Sequence, residues 1–143
     1  MPNDRIVLDT NCLIAALARN SEFYPVWKGL QDGKYTLCVT NEILEEYQEI
    51  IAKKTSEVVA ENVINLLLKS EYVVFIDTYF RLQLIEADPD DNKFVDCAFA
   101  ADATYIVSDD KHFDVLKDIQ FPQILVLKLE AFLERLTKIH SQK

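Results

Sequence analysis

Apolar residues are spaced in two ways along this chain. Short continuous apolar runs predict strands that are buried on both faces, as in a parallel sheet. Longer stretches between them carry an apolar residue every three or four positions, which predicts amphipathic helices. The predicted strands are 6–8, 35–39, 72–76, 105–107 and 124–127, and the predicted helices are 12–19, 22–32, 41–53, 57–70, 91–103 and 129–140. Because helices separate the strands, we predict an α/β fold with a central, mainly parallel five-stranded sheet.

Two stretches follow neither spacing. Residues 77–90 have no clear pattern, and Pro89 ends any helix that precedes it. The polar tail 140–143 is expected to fray. The chain has 143 residues without a linker or an internal repeat, so we predict a single domain over residues 1–143.

The charge of the chain is acidic and unevenly distributed. The 24 acidic and 15 basic residues give a net charge of −9. Residues 88–118 alone contain nine Asp and three Lys, a net charge of −6. This acidity argues against a protein that coats DNA with a broad basic surface, but not against an enzyme that acts on nucleic acid. The two glycines of the chain are too few for a dinucleotide fingerprint or a phosphate-binding loop.

Cysteine content and hydropathy indicate the compartment. The three cysteines lie far apart, and with two histidines they form no zinc-ligand motif. An odd number of cysteines suits a reducing environment, so we expect a cytoplasmic protein. The sequence opens with no secretory leader and has no apolar run of the roughly 18 residues that span a membrane, so no membrane partner is expected.

Carboxylates directly follow two of the predicted strands. Asp9 ends the first strand, and Asp109 and Asp110 come after Ser108 at the end of the fourth. In a parallel sheet the carboxyl ends of strands lie at the edge where ligands bind. Each acid could equally cap a helix or stabilise a turn, and the pattern alone leaves both interpretations open.

Two more acids lie on or beside the inner face of predicted helices. In helix 41–53, Glu46 lies at the border of the apolar stripe, where a glutamate is often solvent-exposed, and the other glutamates point further outward. In helix 91–103, Asp91 lies within about 30° of the centre of the apolar face, although it could also cap the helix. Asp96 points almost the opposite way and is expected to face solvent.

These four acidic sites, at Asp9, Glu46, Asp91 and the pair Asp109-Asp110, could converge at one edge of the sheet. Four carboxylates in one place repel each other, and a divalent cation would relieve that repulsion. Ligands that are all oxygens favour Mg²⁺ or Mn²⁺ over zinc. Because such ions neutralise phosphate charge and activate water, the pattern points to hydrolysis of phosphodiester bonds. The bound cations would also let an acidic protein accept an anionic polymer.

Four motifs, in their order and spacing, carry a family resemblance. They are Val7-Leu8-Asp9-Thr10-Asn11, Thr40 with Glu46 six residues on, Asp88-Pro89-Asp90-Asp91-Asn92-Lys93-Phe94, and Ala103-Thr104-Tyr105-Ile106-Val107-Ser108-Asp109-Asp110-Lys111-His112-Phe113. Together they cover nearly the whole chain and resemble the PIN-domain family. The resemblance implies a three-layer α/β/α PIN-like domain. It also implies a Mg²⁺- or Mn²⁺-dependent ribonuclease, often the toxin of a bacterial toxin–antitoxin pair.

The resemblance also implies a set of site residues. The implied catalytic acids are Asp9, Glu46, Asp91 and Asp110, and the implied metal ligands are Asp9, Asp91 and Asp110. The last family motif is Ser or Thr, any residue, then Asp, so Ser108 selects Asp110 rather than its neighbour Asp109. Asp96 is an additional candidate acid, although the family spacing favours Asp91.

Supporting roles follow from the same assignment as hypotheses. Glu46 would hold a water or act as general base. Hydrogen bonds that support the carboxylates would come from Thr10, Asn11 and Ser108. Three basic residues lie near the acids in sequence and are candidate phosphate contacts, although such residues are more often simply on the surface: Lys93, Lys111 and His112.

Other functions and partners stay open at this point. A PIN module can bind RNA or protein without catalysis, and a metal-dependent phosphatase is a further alternative. The phosphatase motif needs a second Asp two residues after the first strand's Asp, where this chain has Asn11. Candidate partners are an RNA substrate, a small antitoxin protein and a second copy of the chain. Phe23, Tyr24 and Trp27 could contact a protein partner, although aromatic residues in a helix more often belong to the core.

Overall fold

The computed structural model describes the backbone of residues 4–141 and the side chains of residues 4–138. Five strands form one sheet in the order β3-β2-β1-β4-β5, and every neighbouring pair is parallel. The strands are β1 (Arg5–Leu8), β2 (Thr36–Val39), β3 (Val73–Phe75), β4 (Tyr105–Val107) and β5 (Val126–Leu127). The predicted α/β fold with a central parallel sheet is therefore confirmed.

Helices cover the sheet as a three-layer α/β/α domain. Among the described residues the α-helices are α1 (Thr10–Leu17), α2 (Tyr24–Gln31), α3 (Asn41–Lys54), α4 (Glu57–Lys69), α5 (Asn92–Ala101) and α6 (Leu129–Ser141). The described residues also contain two 3₁₀ helices, Pro89–Asp91 and Lys111–Asp118. None of the described helices is long and apolar enough to cross a membrane.

The core is built around the central strand. Ile6, Val7 and Leu8 of β1 are at most 1% exposed, as expected of a strand covered on both faces. Helix α5 packs against β1 and against both neighbours of β1 in the sheet. Trp27 of α2 is also buried, so a role in the core, rather than in a partner contact, accounts for it. All three cysteines are buried and unpaired.

Most predicted elements match the structure to within a few residues. Helix α1 begins at Thr10, two residues earlier than predicted, because Asp9 caps it. The 3₁₀ helix Lys111–Asp118 was not predicted. Residues 76–88 form neither helix nor strand, in agreement with the unclear pattern there. The two ends of the proposed domain, and the last two residues of the tail expected to fray, lie outside the described residues.

The prediction that Asp96 faces solvent is wrong. Asp96 is 5% exposed, and its carboxylate accepts a hydrogen bond of 3.0 Å from the backbone N–H of Leu82. Asn92 of the same helix exchanges two bonds of 2.9 Å with the backbone of Ile85. The irregular segment 76–88 thus lies over the outer side of α5. Helical periodicity locates the face that meets the sheet, but it does not show that a loop covers the other face.

Candidate active site

Asp9 lies at the carboxyl end of the central strand and is held by two hydrogen bonds. Its Oδ1 accepts from the backbone N–H of Asn11 at 3.1 Å, which caps α1. Its Oδ2 accepts from the Ser108 hydroxyl at 2.6 Å. Because Leu8 pairs with Val107 in the sheet, the residues that follow β1 and β4 meet at one edge. Asp9 is only 7% exposed, so its carboxylate is fixed and largely removed from bulk water.

The two acids after β4 have different partners. The backbone N–H of Asp110 donates to the Ser108 hydroxyl at 3.0 Å, and its carboxylate accepts from the N–H of His112 at 2.9 Å. The carboxylate of Asp109 instead accepts from the N–H of Leu129 at 2.9 Å, at the start of α6. Asp110 therefore stays beside Asp9, while Asp109 holds a helix on the other side of the loop.

Glu46 reaches the same edge from helix α3. The neighbouring residue Tyr47 is fully buried, and its hydroxyl donates to the carbonyl of Leu8 at 2.5 Å, which fixes α3 against the end of β1. The Thr10 hydroxyl donates to Glu46 Oε2. The Lys93 ammonium lies 2.7 Å from Glu46 Oε1. Glu46 is the half-buried glutamate of α3, and the other three are exposed.

Asp91 faces a histidine and two other acids. Its Oδ2 lies 3.4 Å from His112 Nδ1, which is also 3.3 Å from Asp110 Oδ1 and 3.9 Å from Asp88 Oδ2. Asp91 Oδ2 and His112 Nδ1 are both shielded from solvent, and neither has a hydrogen-bond partner among the described residues. Buried polar atoms without partners are rare and indicate a missing ligand or strain.

Burial and mutual repulsion make the ionised state of these acids unfavourable. Burial is the main cause that raises the pKa of Asp9, and the charges of Asp110 and Glu46 add to it. Burial likewise raises the pKa of Asp91 to about 6, with further contributions from Asp88, Asp110 and Asp9. A cation among these carboxylates would reverse both effects.

The residues present fit a divalent cation. One ligand atom from each of Asp88, Asp91 and His112 lies within 4.8 Å of the other two. Asp91 and His112 also carry the two buried atoms, Oδ2 and Nδ1, that have no hydrogen-bond partner among the described residues. Carboxylate oxygens with one imidazole nitrogen suit Mg²⁺ or Mn²⁺, with the nitrogen favouring Mn²⁺. A cavity of about 340 Å³ opens beside Asp9 and Asp110.

Three other candidates from the sequence, Asn11, Lys111 and Asp96, have different surroundings. Asn11 accepts a hydrogen bond from the Lys54 ammonium at 3.1 Å. The Lys111 side chain is exposed, and among the described residues it forms neither a hydrogen bond nor an ion pair. Asp96 binds the backbone of Leu82 and is not among the acids that perturb the pKa of Asp9 or Asp91. The structure does not bring it to the cluster.

Two residues beside these carboxylates, Asp88 and Lys93, make contacts that the sequence does not predict. Asp88 is named from the sequence only within the motif around Pro89, and in the structure its Oδ1 caps the 3₁₀ helix Pro89–Asp91 by accepting from the N–H of Asp90 at 3.2 Å. Its second oxygen faces His112 because the unpredicted 3₁₀ helix Lys111–Asp118 turns that ring toward the acids. The run of acids around Pro89 was the available signal for Asp88. The pairing of Lys93 with Glu46 had no signal in the local sequence.

Comparisons with known proteins identify the family and the fold. The model of the PIN domain family matches residues 5–112. No curated protein sequence matches the chain significantly. The fold is similar to VapBC2 from Rickettsia felis bound to a DNA fragment from their promoter, with a TM-score of 0.61 and 15% identity over 87% of this chain and 98% of that one.

Two further solved structures share the fold. DNA-bound VapBC from Salmonella typhimurium has a TM-score of 0.56 and 17% identity, over 87% of this chain and 98% of that one. The PIN domain endonuclease Utp24 has a TM-score of 0.51 and 14% identity, over 87% of this chain and 84% of that one.

The family match spans the candidate site, because Asp9 and His112, its first and last residues in the chain, lie within residues 5–112. It also includes four of the five strands, up to β4. The similarity to solved structures independently supports the fold. The chain therefore belongs to the PIN domain family.

Proposed function

We propose that this protein is a divalent-cation-dependent endoribonuclease that hydrolyses phosphodiester bonds in single-stranded or structured RNA. The observation that carries the proposal is that Asp91 Oδ2 and His112 Nδ1, buried and 3.4 Å apart, have no hydrogen-bond partner among the described residues and lie beside the carboxylates of Asp9 and Asp110. A structural role alone would leave these acids repelling one another in a partly buried position. Binding of a cation accounts for the arrangement.

In this proposal Asp9, Asp91 and Asp110 hold the cation, which is Mg²⁺ or Mn²⁺, and the imidazole of His112, 3.4 Å from Asp91, is an additional candidate ligand. When bound, it would neutralise phosphate charge and lower the pKa of water. Ser108 and the backbone of Asn11 fix the orientation of the Asp9 carboxylate. These bonds reduce the reorganisation that would otherwise accompany binding of the ion and of a phosphate.

Glu46 is proposed to accept a proton from the attacking water. The Thr10 hydroxyl and the Lys93 ammonium contact its two oxygens and so hold the carboxylate in one orientation. A general base must lie within hydrogen-bond reach of the proton it takes, and a fixed carboxylate meets this need better than a mobile one. Of the four glutamates on α3, the half-buried Glu46 is the one with these contacts.

We further propose that the protein is the toxin of a toxin–antitoxin pair. Both VapBC structures share its fold, and in each the similarity covers 98% of the matched chain. Helix α4 exposes apolar side chains that a small antitoxin protein or a second copy could cover. They are Val58, Leu66 and Leu68, which are 66%, 50% and 53% exposed.

The buried, unpaired cysteines are what a cytoplasmic location would allow, and that location stays a prediction.

The proposed activity is tested with purified protein and end-labelled RNA oligomers. We expect cleavage with Mg²⁺ or Mn²⁺ and none with a chelator. Asp9→Asn and Asp91→Asn should each lower the rate by about 10²-fold or more, because each removes a charge that holds the cation. Full activity of both variants would overturn the assignment. RNA binding without cleavage would favour a non-catalytic module, and turnover of a small phosphate ester but not of RNA would favour a phosphatase.

The toxin role needs a separate test. We expect expression of the chain to arrest bacterial growth, and co-expression of the small protein encoded by a neighbouring gene to restore it. The Asp91→Asn variant should not arrest growth. Arrest by that variant, or growth unaffected by the wild-type chain, would contradict the toxin role while leaving the nuclease assignment to the test on RNA.

A further inference from the structure

Lys93 is an unusually buried lysine. Its side chain is 13% exposed, whereas Lys28, Lys53 and Lys117, which also form ion pairs, are 54%, 67% and 68% exposed. Lysine is rarely buried unless its charge is paired. The Lys93 ammonium therefore has a fixed position next to the cluster rather than a mobile one in solvent.

Three contacts fix that position. The Lys93 ammonium lies 2.7 Å from Glu46 Oε1, and it donates to the carbonyl of Asp90 at 2.7 Å. It also lies 5.4 Å from the centre of the Phe94 ring, within the range of a cation–π contact. An oxygen of the proposed general base is thus already bound to a positive charge supplied by the chain.

The other side of this pair is strongly acidic. A cavity of about 340 Å³ is lined by the Glu46–Lys93 pair together with four more acids and one apolar residue. The lining residues besides the pair are Glu42, Glu45, Glu49, Asp90 and Ile50. Two of these acids pair with exposed cations, Glu42 with Arg81 at 3.3 Å and Glu49 with Lys53 at 3.1 Å, whereas Glu46 pairs with the largely buried Lys93.

We propose that the Lys93 ammonium takes the place of a second divalent cation at Glu46, so that the site holds one divalent ion and one tethered positive charge. This inference rests on the proposed function, because it concerns the cation held by Asp9, Asp91 and Asp110. Two-metal nucleases place their ions about 3.5–4 Å apart, bridged or flanked by shared carboxylates. Here the carboxylate that would serve the second ion is occupied by Lys93 and Thr10.

Lys93 already offsets the charge of Glu46, so the chain supplies part of the positive charge that the site needs. The proposed site has four carboxylates: Asp9, Glu46, Asp91 and Asp110. One divalent ion and one ammonium together offset three of their four formal charges. The ammonium is also weaker than a divalent ion as a local charge, so the second positive position would stabilise a phosphate without lowering the pKa of a water molecule. Lys93 would then be a positioning residue for Glu46 and a fixed counter-charge.

The test is the number of Mn²⁺ ions bound per chain, measured by calorimetry and by the loss of the free Mn²⁺ signal in electron paramagnetic resonance. We expect about one ion for the wild-type protein and about two for Lys93→Met, because the neutral side chain frees Glu46. Lys93→Arg keeps the charge and should still bind about one. Lys28→Met removes an exposed ion pair, with Asp32, away from this cavity and should leave the number unchanged.

A second variant covers the case in which Lys93→Met does not fold. Lys93→Gln also removes the charge but keeps a side chain that can donate to the Asp90 carbonyl, and it should bind about two ions. Two ions in the wild-type protein, or one ion in a folded Lys93→Met or Lys93→Gln variant, would overturn the inference.

The ion-binding experiment and the RNA-cleavage experiment distinguish failure of this inference from failure of the proposed function. If the expected stoichiometries are found but RNA is not cleaved, the inference stands and the proposed activity fails. If the wild-type protein binds no Mn²⁺ by either method, both the inference and the proposed cation dependence fail. If RNA is cleaved and the wild-type protein binds two ions, the proposed function stands and only the role of Lys93 is rejected.

Discussion

Asp91 Oδ2 and His112 Nδ1 lie 3.4 Å apart, and neither atom has a hydrogen-bond partner among the described residues. An imidazole nitrogen in an otherwise oxygen-lined site affects which ion is preferred. Nitrogen ligands suit Mn²⁺ better than Mg²⁺, which binds oxygen almost exclusively in proteins. This relationship leads to the first prediction.

Replacing His112 by Asn should change the ion preference. We expect Mn²⁺ affinity to fall by about tenfold or more and Mg²⁺ affinity to change much less, because only Mn²⁺ gains from the imidazole nitrogen. Titration of both ions by calorimetry measures the ratio. Asp114→Asn, in the same 3₁₀ helix and paired with Lys117 at 3.6 Å, is the matched control. Equal losses for the two ions would exclude His112 as a ligand.

Replacing Asp91 by Asn should stabilise the cation-free protein. In the folded chain the pKa of Asp91 is raised from 3.8 to about 6, so its contribution to stability is fully present below about pH 3.8 and is lost as the pH rises through 6. At pH 7.5, with a chelator present, the variant should exceed the wild type by about 2 kcal/mol in free energy of unfolding. Urea unfolding measures the difference.

The pH and the cation provide the controls for this prediction. The difference between the Asp91→Asn variant and the wild type should shrink as the pH falls toward 4, because the wild-type carboxyl is then protonated. At pH 7.5, Mn²⁺ should raise the wild-type stability and leave that of the variant almost unchanged. A wild type that stays more stable than the variant in the chelator would mean that Asp91 has a structural role.

The neighbours Asp109 and Asp110 should respond differently to substitution. Asp109→Ala removes the cap of α6 and should lower the free energy of unfolding by about 1 kcal/mol with at most a few-fold loss of cleavage. Asp110→Asn should reduce RNA cleavage by about 10²-fold or more. Thermal unfolding and initial rates on one RNA oligomer separate the two effects. The reverse pattern would show that the family motif selects the wrong acid.

Tyr47→Phe tests the anchor between α3 and the central strand. The variant leaves the Leu8 carbonyl without its buried hydroxyl partner, so we expect a loss of about 1–2 kcal/mol in stability. Because Glu46 directly precedes Tyr47 in the chain, cleavage should also fall, and kcat should fall more than KM rises. Tyr79→Phe is the matched control, since Tyr79 is 84% exposed. An unchanged kcat would mean that Thr10 and Lys93 position Glu46 without this anchor.

Sequence alone was sufficient for much of the fold. All five predicted strands are present, and Glu46 is half-buried, as expected at the border of the apolar stripe of α3. That success has a physical cause, since a strand or helix must present its apolar face to the core wherever it lies in the fold.

Contacts between segments that are far apart in the chain could not be predicted from the sequence. The burial of Asp96 depends on how the irregular segment 76–88 crosses α5, and irregular segments have no period to analyse. The ion pair of Lys93 with Glu46 joins residues from two different helices, and its formation depends on how α3 and α5 pack. Local patterns constrain each helix separately but not the distance between their side chains.

The bond from Leu129 to Asp109 affects how a minimal version of the domain should be designed. The family model ends at residue 112, yet β5 pairs with β4, and α6 buries Phe132 in the core. A truncated chain that stops at the end of the family match would lose the partner of Asp109 and would expose one side of β4 next to Asp110. The smallest functional fragment must therefore keep α6, because this late helix supports the loop that carries one of the proposed ligands.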